Sequence, residues 1–271
     1  MTIGTGPEDQ DSDQWRKWLV EGERAGRIWR RVVRNLPSNP RCKLCLRPFS
    51  GIGGRLFRLS GFAPSRKNPR FCNGCFEAAP MGGAEAEIGI LFADVRGFTA
   101  FSEARTPEQV AAMMKRFYAV AVDVLSGQDA IIDKLVGDEV MALYIRGFTG
   151  EDYMEKMAAS AEGLLQAVGY GAPNGAWLPL GVGMDFGPAF VGNVGSGEVK
   201  DFTALGDVVN TAARLNGAAK PGQIVMSERV YEQIAGRYPA AERVELDLKG
   251  KSELVVARRV EYPLVGVGPI T

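Results

Sequence analysis

Apolar residues recur along this chain with two periods, one typical of helices and one typical of strands. Residues 107–126 carry apolar positions three and four apart, and Thr106 and Pro107 supply an N-cap and a first-turn proline. Residues 151–168 and the segment from residue 228 onward have similar spacing. Short apolar runs bounded by turn residues predict strands near residues 87–94, 130–134, 140–145, 179–185, 189–193, 223–226, 243–248 and 254–260. This order of elements predicts an α+β domain in which helices cover one face of a sheet.

The N-terminal part has an apolar stripe of its own, over residues 12–37. The stripe advances in steps of three and four and comprises Trp15, Trp18, Gly22, Ala25, Trp29, Val32 and Leu36. Most arginines of this segment lie off the stripe, so we predict a basic amphipathic helix that ends before Pro37. We favour packing of this helix on its own protein; a dimerising coil and a helix on a membrane surface are the alternatives. Residues 1–11 form a polar tail that we expect to be disordered.

The composition of the 271 residues excludes several kinds of chemistry. The chain contains no histidine, so mechanisms that need a histidine base, nucleophile or metal ligand are excluded. Residues 1–80 carry 15 lysines and arginines against 7 acidic residues, and the rest of the chain is acidic by the same excess. This basic front favours an anionic partner or contact with the acidic remainder. The N-terminus is polar and no apolar run reaches about 18 residues, so we expect a soluble, cytoplasmic protein.

All four cysteines fall in two pairs, Cys42 with Cys45 and Cys72 with Cys75, in the spacing C-x2-C-x26-C-x2-C. In a reducing compartment this spacing is typical of a tetrahedral metal site, because each pair offers two thiolates from one turn. We predict one structural Zn²⁺ per chain, with an iron–sulfur cluster as the alternative. Residues 46–71 between the pairs carry six basic side chains, no acidic one and four phenylalanines. We expect the phenylalanines to form a small core over the metal, in preference to a nucleic-acid-binding surface.

The chemistry concentrates in residues 187–215, which predict a strand, a glycine-rich turn and a helix opened by Gly206 and Asp207. Asn210 and Arg214 are four residues apart, so they project from one face of that helix. The other positions of this helix are mostly small and apolar, as is typical of a helix packed on a sheet. An amide and a guanidinium placed just after a flexible turn suit a phosphate or sugar ligand.

Two upstream stretches contribute carboxylates. The apolar strand over residues 88–94 ends at Asp94. In residues 132–144, two apolar runs flank Asp138, as in a hairpin with a carboxylate at its tip. Two carboxylates at adjacent strand ends suit the binding of two divalent cations.

Together these three stretches resemble the catalytic domain of the class III nucleotidyl cyclases, over about residues 85–262. The resemblance implies an α+β protein: a ferredoxin-like cyclase domain, with an antiparallel sheet and helices on one face, preceded by a helix and a small four-cysteine metal-binding module. The expected organisation is a tail (1–11), a basic amphipathic helix (12–37), a zinc-ribbon-like module (38–77), a linker (78–84), the cyclase domain (85–262) and a C-terminal tail (263–271).

The resemblance also implies roles for matched positions. Asp94 and Asp138 match the two metal-binding carboxylates of the family, with the main-chain carbonyl of Val95 assisting them. Two Mg²⁺ or Mn²⁺ ions per active site are implied. Asn210 and Arg214 match the catalytic amide that orients the ribose and the guanidinium that meets charge developing on the α-phosphate.

Lys134 and Thr203 match the pair that reads the purine. A lysine donor suits a ring nitrogen of adenine, and a threonine hydroxyl can accept a hydrogen bond from the adenine amino group. Many family members have Asp where Thr203 stands, and guanylate cyclases typically place Glu and Cys at the two positions, so ATP is favoured over GTP. Lys249 matches a lysine near the terminal phosphates, with Lys251 as the neighbouring possibility.

The implied function is an adenylate cyclase that converts ATP to 3′,5′-cyclic AMP and pyrophosphate by two-metal catalysis. The resemblance further implies a head-to-tail homodimer whose active sites are shared between chains. The alternatives are a guanylate cyclase, or a metal-stabilised regulatory protein that binds nucleic acid or a partner and has a weakly active or inactive cyclase-like domain. Contact of the basic N-terminal part with nucleic acid or a membrane is a further alternative that we do not favour.

Overall fold

The computed structural model describes residues 7–22, 40–75, 81–196, 199–250 and 253–262. The helices are α1 (Pro7–Glu21), α2 (Gly51–Leu59), α3 (Phe98–Glu103), α4 (Pro107–Gly127), α5 (Arg146–Thr149), α6 (Tyr153–Ala167), α7 (Asp207–Ala218) and α8 (Glu228–Ile234). The strands are β1 (Gly82–Val95), β2 (Ile131–Val136), β3 (Glu139–Ile145), β4 (Leu180–Ser196), β5 (Val199–Leu205), β6 (Gln223–Ser227), β7 (Glu242–Leu246) and β8 (Val255–Glu261). Among these residues, no helix has the length and apolar character needed to cross a membrane.

One eight-stranded sheet organises the fold. Its order is β2-β3-β1-β4-β6-β8-β7, and β5 pairs with the second half of β4. Neighbouring strands run antiparallel except for β4 and β6, which are parallel. The order β1-α4-β2-β3-α6-β4, with β1 between β3 and β4, is the ferredoxin-like arrangement that the resemblance implies.

Helices α4, α6 and α8 cover one face of the sheet. Leu91 of β1 faces them, and Phe117 of α4 and Met157 of α6 are fully buried in this core. A capping box opens α4: the hydroxyl of Thr106 accepts from the main-chain N–H of Gln109, and the Gln109 side chain accepts from the N–H of Thr106. This is the helix start that the sequence predicts.

The opposite face is covered by α1, the four-cysteine module and α7. Ile90, one residue before Leu91 in β1, points to this side because side chains alternate along a strand. Trp18 of α1 meets Phe148 edge to face, with ring centroids 5.0 Å apart. Trp15 stacks against Phe202 of β5 at 6.3 Å. The described part of the N-terminal stripe therefore packs on its own protein, which is the interpretation favoured from sequence.

Helix α1 differs from the predicted N-terminal helix at both ends. It begins at Pro7, so residues 7–11 are helical where the sequence analysis expects a disordered tail. A proline in the first turn, followed by Glu8 and Asp9, favours a helix start there. The helix stops before Gly22, whose φ of 71° is left-handed and whose α-carbon lies against the carbonyl of Gly147. The rest of the predicted helix, from residue 23 to 37, lies outside the described residues.

Three strands, β4, β5 and β1, also differ from prediction in their bounds. The two strands predicted near 179–185 and 189–193 are one strand, β4, because it pairs with β1 without a break from Leu180 to Asn193, including at Pro188. Residues 199–205, assigned from sequence to the glycine-rich turn, form β5. The predicted linker 78–84 is too long at its end, since Gly82 already pairs with Asn193 of β4. Residues 76–80 and the tail 263–271 lie outside the described residues.

Candidate functional site

The two predicted metal-binding carboxylates lie side by side. Asp94 stands near the end of β1, opposite Glu139 of β3, and Asp138 lies in the turn between β2 and β3. The main-chain N–H of Val95 donates to the carbonyl of Asp138 over 3.2 Å, which holds this turn against the end of β1. The hydroxyl of Tyr118 donates to the carbonyl of Gly137 over 2.5 Å and supports the turn from α4.

The acidic pair is electrostatically strained. Burial, a hydrogen bond with Asp138 and the charges of Asp138 and Glu139 raise the pKa of Asp94 to about 7, although Arg96 acts in the opposite direction. Two half-buried carboxylates this close cannot both be ionised cheaply unless a cation lies between them. Carboxylate oxygens are the ligands that Mg²⁺ and Mn²⁺ prefer, so the donor set fits the divalent cations implied from sequence.

Arg96 is a member of this site that the sequence reasoning missed. Its guanidinium donates to Oδ2 of Asp94 over 3.0 Å and to Oδ1 of Asn216 over 2.8 Å. It also donates to the main-chain carbonyl of Asn216 over 2.5 Å. Arg96 therefore joins the acidic pair to α7. Its position two residues after Asp94 is the signal that could have identified it, but its partner Asn216 is 120 residues away.

The predicted base-reading residues meet across the fold. The Nζ of Lys134, on β2, lies 3.5 Å from the Oγ1 of Thr203, on β5. The Thr203 hydroxyl donates to Oδ2 of Asp133 over 3.0 Å, and Lys134 Nζ lies 3.4 Å from the same oxygen. The side chain of Asp133 is fully buried, whereas that of Lys134 is half exposed. Asp133 is a second residue that sequence reasoning missed, although it precedes Lys134 directly.

Helix α7 presents the predicted amide and guanidinium. Its residues Val208, Ala212 and Leu215 are buried, so Asn210 stays exposed and Arg214 half-buried on the remaining face. Within the described residues, neither of these two side chains makes a hydrogen bond or ion pair. A polar pair left without partners on a well-packed helix is suited to binding a ligand.

The turn that carries Lys249 lies beside Arg214 of α7. The next residue, Gly250, has a φ of 78°, and a side-chain carbon placed on it would lie 3.2 Å from Nη2 of Arg214. Glycine at this position thus allows the turn that carries Lys249 to approach Arg214. Lys249 is exposed. Lys251, the neighbouring possibility, lies outside the described residues.

The sequence-predicted residues therefore form three groups in one chain. The first is Asp94 with Asp138, the second is Lys134 with Thr203, and the third consists of Asn210, Arg214 and Lys249. Within the described part of the chain, no hydrogen bond or ion pair joins the acidic pair directly to the third group.

A second candidate site is formed by the four cysteines, all of which are buried. The Sγ atoms of the four lie within 4.8 Å of one another. Individual separations are 3.6 Å for Cys42 and Cys75, 3.5 Å for Cys45 and Cys72, and 3.4 Å for Cys72 and Cys75. The main-chain N–H of Cys72 points at the sulfur of Cys42 over 3.2 Å. Four converging thiols with an N–H donor fit a metal ion.

Ion pairs connect the four-cysteine module to the larger domain, just before β2. Lys43 and Arg70 of the module pair with the buried carboxylate of Asp129, at 2.5 and 3.0 Å. Phe71 is fully buried, and its ring centroid lies 6.0 Å from that of Phe148. Of the module's phenylalanines, Phe71 thus packs below the cysteines toward the sheet, which extends the expected small core into the neighbouring domain.

Comparison with known proteins identifies relatives of the larger domain. The chain is 33% identical over 153 residues to adenylate cyclase 1 of Rhizobium meliloti (strain 1021), which covers 53% of this chain and 23% of the relative. It is 28% identical over 199 residues to an adenylate cyclase of Anabaena cylindrica, covering 65% of this chain and 39% of the relative. An adenylate cyclase of Mycobacterium tuberculosis (strain ATCC 25618 / H37Rv) is 31% identical over 167 residues, covering 61% and 37%. The matched segment thus spans less than half the length of each of these relatives.

Solved structures show the same fold. The guanylyl cyclase Cya2 superposes with a TM-score of 0.59 at 28% identity, covering 70% of this chain and 96% of that one. The guanylate cyclase domain of RhGC from Catenaria anguillulae, solved with GTP, gives a TM-score of 0.58 at 19% identity, covering 66% and 98%, and supports the fold alone. Residues 83–258 match the family described as the adenylate and guanylate cyclase catalytic domain. Because this match spans more than half of the chain, the chain belongs to the family of adenylate and guanylate cyclase catalytic domains.

Proposed function

We propose that the protein is an adenylate cyclase, which converts ATP to 3′,5′-cyclic AMP and pyrophosphate. The observation that carries this proposal is the contact of Lys134 with Thr203, whose hydroxyl is held by the buried Asp133. An ionised carboxylate only accepts hydrogen bonds, so the Thr203 hydroxyl donates its hydrogen to Asp133 and cannot donate it to a ligand at the same time. The lone pairs of Thr203 are then left to accept from a ligand.

This arrangement favours adenine over guanine. Adenine presents an amino group, a donor, where guanine presents a carbonyl oxygen, an acceptor. Thr203, fixed as an acceptor, complements the amino group and leaves the carbonyl unpaired, and an unpaired polar group in a binding site is costly. Lys134 donates to a ring nitrogen in the same plane. Relatives are named both adenylate and guanylyl cyclase, so this contact supports the choice of ATP more strongly than the names do.

In the proposed reaction the ribose 3′-hydroxyl attacks the α-phosphorus and gives its proton to Asp94 or to a substrate phosphate. The bond from that phosphorus to the bridging oxygen breaks, and pyrophosphate leaves. Asp94 and Asp138, with the Val95 carbonyl, would hold two Mg²⁺ or Mn²⁺ ions. Such ions lower the pKa of the attacking hydroxyl and neutralise charge on the phosphates.

The side chains near α7 complete the proposed site. Asn210 orients the ribose, and Arg214 stabilises charge that develops on the α-phosphate oxygens. Lys249 lies beside Arg214 through Gly250 and binds the terminal phosphates. Asn210 and Arg214 make no hydrogen bond or ion pair within the described residues, so they need little rearrangement to do this.

We further propose that each active site is shared between two chains of a head-to-tail homodimer. Among the described residues of one chain, no hydrogen bond or ion pair joins the acidic pair to Asn210 or Arg214, so a partner chain that brings its own acidic pair to this α7 would complete a site. A two-fold dimer of this kind contains two equivalent sites.

For the four cysteines we propose one structural Zn²⁺ per chain. Four sulfurs at 2.3 Å from a tetrahedral ion lie about 3.8 Å apart. Three of the separations between the sulfurs, 3.4 to 3.6 Å, are close to this value. An iron–sulfur cluster distributes its thiolates over several iron atoms and needs wider spacing, so this geometry supports the single ion.

Purified protein supplied with ATP or GTP, together with Mg²⁺ or Mn²⁺, tests the proposed activity. We expect equimolar cyclic AMP and pyrophosphate from ATP, and slower turnover of GTP. Equal or faster turnover of GTP would make the protein a guanylate cyclase. Absence of cyclic product from either nucleotide would leave a non-catalytic domain.

A further inference from the structure

We propose that Lys67, a residue of the four-cysteine module, is a positioning residue for purine recognition, and that the module thereby sets the nucleotide affinity of the cyclase site. This inference rests on the proposed function, since it concerns the same base-reading pair. It adds a role for the module, which lies outside the residues that match the cyclase family.

Lys67 connects the two strands that carry the base-reading pair. Its Nζ donates to the main-chain carbonyl of Asp133 over 2.6 Å and lies 2.8 Å from Oδ1 of Asp201. Asp133 directly precedes Lys134 on β2, and Asp201 stands two residues before Thr203 on β5. One ammonium group therefore holds β2 and β5 together beside the contact of Lys134 with Thr203.

Lys67 also offsets the charge of Asp133. Oδ2 of this buried carboxylate accepts from Thr203 and lies 3.4 Å from Lys134. Its Oδ1 accepts no hydrogen bond from the described residues, and Lys67 Nζ lies 3.6 Å from it. A buried carboxylate is costly unless cations compensate it. Without Lys67, Asp133 would attract Lys134 more strongly, and the Lys134 ammonium would be less available to a base.

The module fixes the position of Lys67 through its main chain. The Lys67 carbonyl accepts from the N–H of Ile132 on β2 over 2.9 Å. The next residue, Asn68, is fully buried and donates from its side chain to the carbonyl of Ala130 over 2.6 Å. The carbonyl of Asn68 accepts in turn from the N–H of Phe71, which adjoins Cys72. The loop that carries Lys67 is therefore held between the cysteine cluster and β2.

The effect of Lys67 on nucleotide binding can be distinguished from the effect of other module contacts by a matched substitution. Lys43 makes a similar ion pair between the same module and the same domain, with the buried Asp129. The cations that pair with Asp129 among the described residues are Lys43, Arg70 and Lys156, and Lys134 is not one of them. Lys67→Met and Lys43→Met each keep the apolar stem and remove one ammonium. If the module acted only by stabilising the fold, the two variants would behave alike.

The test measures binding and turnover in the full chain. The binding probe is 3′-deoxy-ATP with Mg²⁺, which lacks the attacking hydroxyl and so reports Kd without reaction. For Lys67→Met we expect Kd for the probe and KM for ATP to rise at least about tenfold, the effect of losing a charged hydrogen bond, with kcat little changed. Lys67→Arg should restore most of the affinity, and Lys43→Met should keep the wild-type Kd.

Asp201→Asn provides a second variant if Lys67→Met does not fold. The Asp201 side chain is half exposed, so the change is tolerated sterically, and it removes the negative charge that attracts Lys67 to β5. We expect Kd to rise in this variant as well. A wild-type Kd in Lys67→Met or Asp201→Asn, or an equal rise in Lys43→Met, would overturn the role of Lys67. If wild-type protein neither binds the probe nor forms cyclic product, the proposed function itself fails, and this inference with it.

Discussion

Lys134 and Thr203 lie within 3.5 Å of each other although 69 residues separate them in the chain. Their strands, β2 and β5, are not hydrogen-bonded neighbours in the sheet. The contact therefore results from the way β5 leaves β4 and approaches β2, with Asp133 buried beneath the pair. This relationship makes purine selectivity the first property to test.

Thr203→Val should weaken selectivity for ATP, because valine keeps the shape of threonine but cannot accept from the adenine amino group. We expect kcat/KM for ATP to fall about tenfold, the effect of one lost hydrogen bond, and the ratio of ATP to GTP turnover to fall with it. Thr211→Val is the matched control, since its hydroxyl lies on α7 and contacts Asp207. An unchanged nucleotide ratio in Thr203→Val would show that Thr203 does not read the base.

The acidic pair should make the stability of the protein depend on pH when no Mg²⁺ or Mn²⁺ is added. An unfolded aspartate has a pKa of about 4, whereas the pKa of Asp94 in the fold is about 7. Between these values the folded chain binds the extra proton, so the free energy of unfolding falls as pH rises from about 4 to about 7.

Asp138→Asn removes the neighbouring charge, so it should flatten this pH dependence and stabilise the metal-free protein at pH 7. Denaturant unfolding at several pH values measures the effect.

Asp94→Ala and Asp138→Ala should both nearly abolish cyclase activity while the fold persists, because each loses a metal ligand. An unaltered slope in Asp138→Asn would contradict the electrostatic account, and retained turnover in either alanine variant would contradict the metal assignment.

Arg214→Ala should lower kcat by roughly 10² to 10³ if the guanidinium stabilises charge in the transition state. Arg243→Ala, an exposed arginine on β7, is a suitable control. Steady-state kinetics with ATP separates the two possible roles of Arg214. A rise in KM with unchanged kcat would instead mark it as a residue that binds the ground state.

Mixed dimers test whether sites are shared. If Asp138 of one chain meets Arg214 of the other, a dimer of Asp138→Ala with Arg214→Ala has one doubly damaged site and one intact site. Random pairing of equal amounts makes about half of the dimers mixed, so activity should recover to roughly a quarter of wild type. Co-expression with two different tags allows the mixed species to be isolated. If this species is no more active than either parent, each site is built within one chain.

The cysteine cluster should hold close to one zinc per chain. Elemental analysis of purified protein measures it, and Cys42→Ser or Cys75→Ser should lose the metal and lower the melting temperature, because the cluster belongs to a core shared with the sheet. The chain has no other cysteine, so thiol titration counts the ligands directly. Iron and sulfide in the purified protein would instead identify the site as an iron–sulfur cluster.

Local sequence signals determined much of this protein. The cap of α4, the spacing of its apolar residues and the position of α7 depend on residues within a few places of each other, and each was predicted correctly. The order of elements predicted a sheet with helices on one face, and the resemblance to the class III cyclases, carried by short motifs, implied the ferredoxin-like core. The paired cysteines indicated a cluster because each C-x2-C pair is itself a local turn.

Only the tertiary structure decided the contacts between distant elements. The strand β5 was not predicted, because it lies in a glycine-rich stretch that was interpreted as a turn. Its pairing with β4 requires that β4 extend as far as Ser196. The position of Arg96 close to Asp94 was a local signal, but its contact with Asn216 was not predictable from neighbouring residues. Asp133 and Lys67 act through residues on other elements, Thr203 and Asp201, which no local pattern indicates. Whether a carboxylate is buried, and which cation compensates it, follows from packing across the whole fold, and no pattern of neighbouring residues specifies it.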